Sequence, residues 1–84
     1  GYQGRKRKIL VVDDRWENRS VLVNLLEPIG FEVIEASNGD RGLSAAIATQ
    51  PDFIITDLTM PVMDGFEMLR QIRSHPNLRE TIVI

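Results

Sequence analysis

The chain has 84 residues, of which 43% are hydrophobic and 26% are charged, and this composition is typical of one small globular domain and too apolar for a disordered chain. A net charge of -2 provides no overall positive field, so we expect neither nucleic acid nor a membrane as a partner of this domain. The absence of cysteine excludes disulfides, thiolate catalysis and cysteine-bound zinc. No apolar run approaches the roughly 20 residues that cross a bilayer, and we expect a cytoplasmic protein.

The first predicted elements are a strand and a helix. The continuous apolar run from Ile9 to Val12 indicates a strand that is buried on both faces. A helix is predicted from Arg15 to Glu27, with Asp14 as its expected N-cap. The apolar stripe of this helix consists of Val21, Leu22, Leu25 and Leu26.

Two more strands and a second helix are predicted in the middle of the chain. From Phe31 to Ala36 apolar residues alternate with glutamates, which indicates a strand near an edge of the sheet. Good helix formers from Asp40 to Gln50 predict a second helix, which a proline ends. The apolar run from Phe53 ends in Asp57, just as the first strand ends in an aspartate.

The last part of the chain predicts a loop, a third helix and a fourth strand. The segment from Leu58 to Asp64 contains a proline and leads to Gly65, which is typical of a loop. Helical spacing of apolar residues from Phe66 predicts a helix that ends near Ser74. A fourth strand is predicted to begin at Thr81.

The alternation of strands and helices predicts an α/β fold with a doubly wound parallel sheet. Because the carboxyl ends of parallel strands meet at one edge, Asp13, Asp14 and Asp57 are expected to converge there. An acidic pair can serve only to cap a helix, but a matching aspartate after another strand favours a functional site. Converging carboxylates repel each other and require a cation, and oxygen donors alone favour Mg²⁺, with Mn²⁺ close behind and Ca²⁺ a weaker fit. A carboxylate beside that ion can act as a nucleophile and form an aspartyl phosphate.

Several segments together resemble the receiver domain of two-component response regulators. They are Ile9 to Asp14, Glu17-Asn18-Arg19, Phe53 to Asp57, Leu58-Thr59-Met60-Pro61 and Met63-Asp64-Gly65. The resemblance implies a flavodoxin-like receiver fold over residues 8–84, with residues 1–7 as a linker. It also implies that the sheet order is second, first, third, fourth.

The resemblance also implies roles for individual residues. Asp57 would be the phosphoacceptor, and the phosphoryl group would come from a histidine kinase or a phosphotransfer protein. Asp13, Asp14 and Asp57 would bind Mg²⁺, with the backbone carbonyl of Thr59 as a further ligand. The domain would thus be a phosphoacceptor rather than an enzyme, and it could form part of a larger hybrid histidine kinase.

Two residues that receiver domains use for switching are expected beyond Ile84. The family has a Ser or Thr at the end of the fourth strand and a Lys at the end of the fifth. We therefore expect a receiver domain that is incomplete at its C-terminus, truncated within or after the fourth strand. An incomplete sheet has an apolar edge, so we expect a homodimer that pairs through this edge, a swapped element, or a further tail that covers it.

Two other functions remain as alternatives at this point. Asp57-Leu58-Thr59 is similar to the first motif of phosphatases of the haloacid-dehalogenase type, although that family is longer and places its nucleophile on an early strand. A receiver that binds other proteins independently of phosphorylation is the second alternative. Turnover of a phosphate ester would favour the phosphatase. A protein whose fluorescence and thermal stability do not change with Mg²⁺ would favour the receiver that acts independently of phosphorylation.

Overall fold

The computed structural model describes residues 6–57, 63–78 and 82–83. In chain order its elements are β1 (Lys8–Val12), α1 (Trp16–Leu26), a 3₁₀ turn (Glu27–Ile29), β2 (Glu32–Ala36), α2 (Gly39–Thr49), β3 (Phe53–Thr56), α3 (Gly65–Ser74) and β4 (Ile82–Val83). The ends of the predicted strands and helices lie within one residue of the observed ones. The predicted loop from residue 58 lies outside the described residues up to residue 62.

The four strands form one parallel sheet in the order β2-β1-β3-β4. In this register Leu10 lies opposite Ile34 on one side and Ile54 on the other. Strand β2 is an outer strand with exposed glutamates at Glu32 and Glu35, as its alternating pattern predicts. The parallel sheet and its order confirm the fold that the sequence predicts.

The direction of the connections reverses inside this sheet. The connection through α1 leads from β1 to β2, whereas those through α2 and α3 lead in the opposite direction. Right-handed crossovers therefore place α1 on one face of the sheet and the other two helices on the opposite face. The reversal lies between β1 and β3, and open α/β sheets bind their ligands at the carboxyl ends of the strands at such a point.

The main core lies between the sheet and the pair α2 and α3. It consists of Leu10, Val12, Ala36, Ala46, Ile54, Met68, Ile72 and Leu78, all of them buried. Because side chains alternate along a strand, Ile9 and Val11 are buried on the α1 face instead. Complete burial of a large aliphatic side chain stabilises a fold by about 1.5–3 kcal/mol, so this core holds β1 and β3 firmly together.

The start of α1 differs from the prediction. Asp14 does not cap the helix, because the N-cap residue is Arg15 and its side chain makes no capping hydrogen bond. The backbone N–H of Arg15 instead donates to Oδ1 of Asp13, at 2.9 Å. By contrast, α2 is capped by Asn38 and α3 by Asp64, whose side-chain oxygens accept from backbone N–H groups three residues later.

The apolar stripe of α1 is only partly covered. Val21 and Leu25 are 58% and 61% exposed, whereas Leu22 and Leu26 are half-buried. Within the part of the chain that the structure describes, α1 packs mainly against β1, β2 and the 3₁₀ turn, and Val21 and Leu25 remain exposed. Over the described ranges, no helix is long and apolar enough to cross a membrane.

Candidate functional site

The two strand-end aspartates are held in place by the backbone of the sheet. The N–H of Asp13 donates to the carbonyl oxygen of Ala36 at 3.1 Å, and the N–H of Asp57 donates to that of Val12 at 2.9 Å. The hydrogen-bond ladder thus continues one residue beyond β1 and beyond β3. Both residues are fixed at the same edge of the sheet, beside the reversal of connection.

The structure brings three carboxylates together at this edge. One carboxylate oxygen from each of Asp13, Asp14 and Asp57 lies within 4.8 Å of the other two. Asp13 and Asp57 are half-buried, and Asp14 is exposed. Successive side chains of a strand point to opposite faces, so neighbouring aspartates can share a site only where the chain leaves the strand. The chain does so here, with a bend at Asp14.

Hydrogen bonds orient the carboxylate of Asp13 within this cluster. Besides the Arg15 N–H, Asp13 accepts a hydrogen bond at Oδ2 from Nδ2 of Asn18, at 3.2 Å. Two unit charges about 5 Å apart repel each other by about 1 kcal/mol in water. Carboxylate oxygens without sulfur or nitrogen ligands suit a hard divalent cation, and Mg²⁺ is commonly bound by one or two carboxylates together with water. The donor set of this cluster therefore fits Mg²⁺.

Arg19 supports this edge from α1. Its Nη1 donates to the backbone carbonyl oxygen of Asp13 at 2.7 Å, and its Nε donates to Oε1 of Glu35 at 3.0 Å. In the sequence, Arg19 belongs to the segment Glu17-Asn18-Arg19 that resembles receiver domains, and no role is predicted for it. Arg19 lies only five residues after Asp14, within the predicted first helix, and this closeness to the acidic pair is the signal that could have indicated a role. The contact with Glu35, which is 16 residues further along the chain, could not be read from the sequence.

The chain just before α3 is held by the start of α2. The N–H of Gly39 donates to the carbonyl oxygen of Met63 at 3.0 Å. A Cβ atom at Gly39 would lie 2.1 Å from that oxygen, so this approach requires glycine. Thr59, the further ligand that the resemblance implies, lies outside the described residues.

A cavity of about 360 Å³ opens beside this site. It is lined by Arg19, Glu35, Ala36, Ser37, Arg41 and Ser44, and none of the three clustered carboxylates lines it. The acidic cluster is therefore separate from this cavity. Because Asp14 is exposed, the cluster can be reached from outside at the edge of the sheet.

Comparison with known proteins links this geometry to one family. The family model described as "Response regulator receiver domain" matches residues 9–84. A curated relative, the probable transcriptional regulator ycf27 of Pyropia yezoensis, is 37% identical over 76 residues, which are 90% of this chain and 31% of that protein. The chain thus spans about a third of the length of this relative.

Solved structures share the fold closely. The chemotaxis protein CheY4 of Vibrio cholerae has a TM-score of 0.88 and 35% identity, over 93% of this chain and 65% of that one. The receiver domain of the sensor histidine kinase PA1611 from Pseudomonas aeruginosa PAO1 has a TM-score of 0.88 and 29% identity, over 93% and 64% of the two chains. That structure has a magnesium ion coordinated in its active site cleft.

Proposed function

This chain belongs to the family of response regulator receiver domains, and we propose that it accepts a phosphoryl group on Asp57 in the presence of Mg²⁺. Receiver domains are signalling modules rather than classical enzymes. The observation that carries the proposal is the cluster of Asp13, Asp14 and Asp57 at the reversal point of the sheet. A capping role for the acidic pair would not require an aspartate from a different strand to lie in the same place.

In the proposed reaction, Asp57 is the nucleophile. One of its carboxylate oxygens attacks the phosphorus atom of a phosphohistidine, so a P–O bond forms as the P–N bond breaks. The electron pair of the broken bond stays on the imidazole nitrogen of the donor, which takes up one proton from water and is released as neutral histidine. The product is an aspartyl phosphate. Asp57 suits this role because the sheet fixes its backbone while its carboxylate stays half-buried at the edge.

Asp13 and Asp14 are proposed to hold the metal ion together with Asp57, and the backbone carbonyl of Thr59 is the proposed further ligand. Mg²⁺, when bound, offsets the negative charge of the phosphoryl oxygens and of the carboxylates. The hydrogen bonds from Arg15 and Asn18 orient the carboxylate of Asp13. The magnesium ion in the receiver domain of PA1611 supports this assignment by analogy.

A protein that carries a phosphohistidine is the proposed partner, that is, a histidine kinase or a phosphotransfer protein. The similarity to the receiver domain of the sensor histidine kinase PA1611 supports this kind of partner, and also a place within a hybrid histidine kinase. We further propose that the domain acts in the cytoplasm. The receiver domain itself is proposed to extend over residues 8–84, with residues 1–7 as a linker.

Phosphorylation by acetyl phosphate tests the proposal. We expect intact-mass spectrometry to show the addition of one phosphoryl group when acetyl phosphate and Mg²⁺ are present, and no addition in EDTA. Asp57→Asn should abolish the addition, because the amide is not a nucleophile of this kind. Asp40→Asn is the matched control, since Asp40 is an exposed aspartate in the first turn of α2, and it should be phosphorylated like the wild type.

Other outcomes of this experiment would support the alternatives. Persistence of the label in Asp57→Asn would contradict the assignment of the phosphoacceptor. Continuous hydrolysis of small phosphate esters would favour a phosphatase of the haloacid-dehalogenase type. A chain that neither binds Mg²⁺ nor accepts a phosphoryl group would act by protein contact alone.

A further inference from the structure

We propose that Arg19 is a positioning residue of the metal site, because its guanidinium holds the bend that lets Asp13 and Asp14 act on one ion. This inference rests on the proposed function, since it concerns the ion that Asp57 would share. The guanidinium of Arg19 donates to the Asp13 carbonyl oxygen and to Glu35, so it acts on the cluster through the backbone of Asp13.

The Asp13 carbonyl is the critical atom because it belongs to the peptide that joins the two acidic residues. The N–H of Asp13 is held by Ala36, at 3.1 Å, and its carbonyl oxygen by Arg19, at 2.7 Å. The backbone of Asp13 is thus fixed on both sides. Without the second hydrogen bond, the peptide before Asp14 could rotate, and the two carboxylates would no longer be kept on one side of the chain.

Burial makes this hydrogen bond effective. The side chain of Arg19 is 16% exposed, whereas that of its partner Glu35 is 46% exposed. Water therefore competes little for the guanidinium, and a charge-assisted hydrogen bond to a carbonyl is stronger under such conditions. The guanidinium is also planar and presents several donors in fixed directions, so one side chain can reach two acceptors on different strands.

Glu35 keeps the positive charge of Arg19 away from the ligand set. Because the guanidinium is paired with Glu35, it does not need a carboxylate of the cluster as its partner. A guanidinium bound to Asp13 or Asp14 would have to be displaced before a metal ion could bind. Arg19 thus supports the ligands through the backbone and leaves their oxygens available.

The affinity for Mg²⁺ tests this role. We expect Arg19→Met, which keeps the apolar stem and removes the donors, to weaken Mg²⁺ binding by about tenfold or more in isothermal titration calorimetry, as is typical for residues that orient metal ligands. Arg19→Lys should restore part of the affinity, since an ammonium group can still donate to the Asp13 carbonyl. Arg70→Met is the matched control, because Arg70 pairs with Glu67 on the solvent-facing side of α3, and this variant should bind Mg²⁺ as tightly as the wild type.

The results separate this inference from the proposed function. If the wild type binds Mg²⁺ and folded Arg19→Met binds it equally tightly, the inference is wrong while the proposed function stands. If the wild type itself does not bind Mg²⁺, the proposed function fails first. Circular dichroism and thermal unfolding in EDTA identify the folded variants. A loss of thermal stability alone, with Mg²⁺ affinity retained, would show a merely structural role and would also overturn the inference.

Discussion

At the scale of single residues, the environment of a carboxylate decides what it can do. Glu67 on α3 accepts hydrogen bonds from Arg70 and Gln71, and these donors lower its pKa below the ordinary value of 4.5. The clustered aspartates differ in that each carboxylate also has two other carboxylates close to it. A paired carboxylate is satisfied as it stands, whereas a cluster of carboxylates gains free energy when a cation binds.

Removal of one charge from the cluster should stabilise the protein in the absence of metal, but it should reduce the stabilisation that Mg²⁺ provides. In EDTA we expect Asp14→Asn to raise the free energy of unfolding, by up to about 1 kcal/mol for each relieved repulsion. With Mg²⁺ at about 100 times its dissociation constant, the wild type should gain about 2.7 kcal/mol, and the variant should gain less. Thermal unfolding in the two buffers measures both effects. A variant that is less stable than the wild type in EDTA would contradict this account.

At the scale of elements, the three α-helices among the described residues contribute unequally to the fold. Helix α2 approaches the sheet closely because Gly42 has no side chain, and a Cβ there would lie 2.7 Å from Sδ of Met68 and 2.9 Å from Cγ2 of Val12. Helix α3 buries Met68 and Ile72 completely. Helix α1 has no buried residue, yet it supplies Arg19 to the site. Stability therefore comes mainly from α2 and α3, and α1 contributes more to the geometry of the acidic edge.

Truncation of leucine-sized side chains should reveal this difference between the helices. We expect Ile72→Ala on α3 to lower the free energy of unfolding by about 2–5 kcal/mol, because it removes a fully buried side chain from the core. Leu25→Ala on α1 should cost less than about 0.5 kcal/mol, since Leu25 is largely exposed. Urea denaturation measures both values. Equal losses would show that the exposed side of α1 is covered in solution.

At the scale of the whole molecule, the two outer strands of the described sheet differ in character. Strand β2 presents exposed Glu32 and Glu35, and charges on an edge strand discourage pairing with another chain. Strand β4 lies at the other edge and is hydrogen-bonded to β3, and its two residues are the apolar Ile82 and Val83. The β4 edge is thus the better candidate for pairing between two copies.

We expect the 84-residue chain to form a homodimer through β4. Sedimentation velocity over a range of concentrations should show a monomer–dimer equilibrium. Val83→Lys should shift it toward the monomer, since a charge on the edge strand opposes pairing. Glu32→Gln on β2 is the control and should leave the equilibrium unchanged. A wild-type chain that stays monomeric at high concentration would contradict this expectation.

The sequence by itself determined the strands, the helices and the place of the aspartates at strand ends. This was possible because the apolar period is a local property, and because parallel strands joined by helices put their carboxyl ends at one edge. Only the tertiary structure decided which side of α1 is covered, and that Arg15 rather than Asp14 is the N-cap of this helix. Only the tertiary structure showed that the guanidinium of Arg19 donates one hydrogen bond to the Asp13 carbonyl oxygen and another to Glu35. These features depend on how elements distant in the chain pack against each other, and no local pattern encodes that placement.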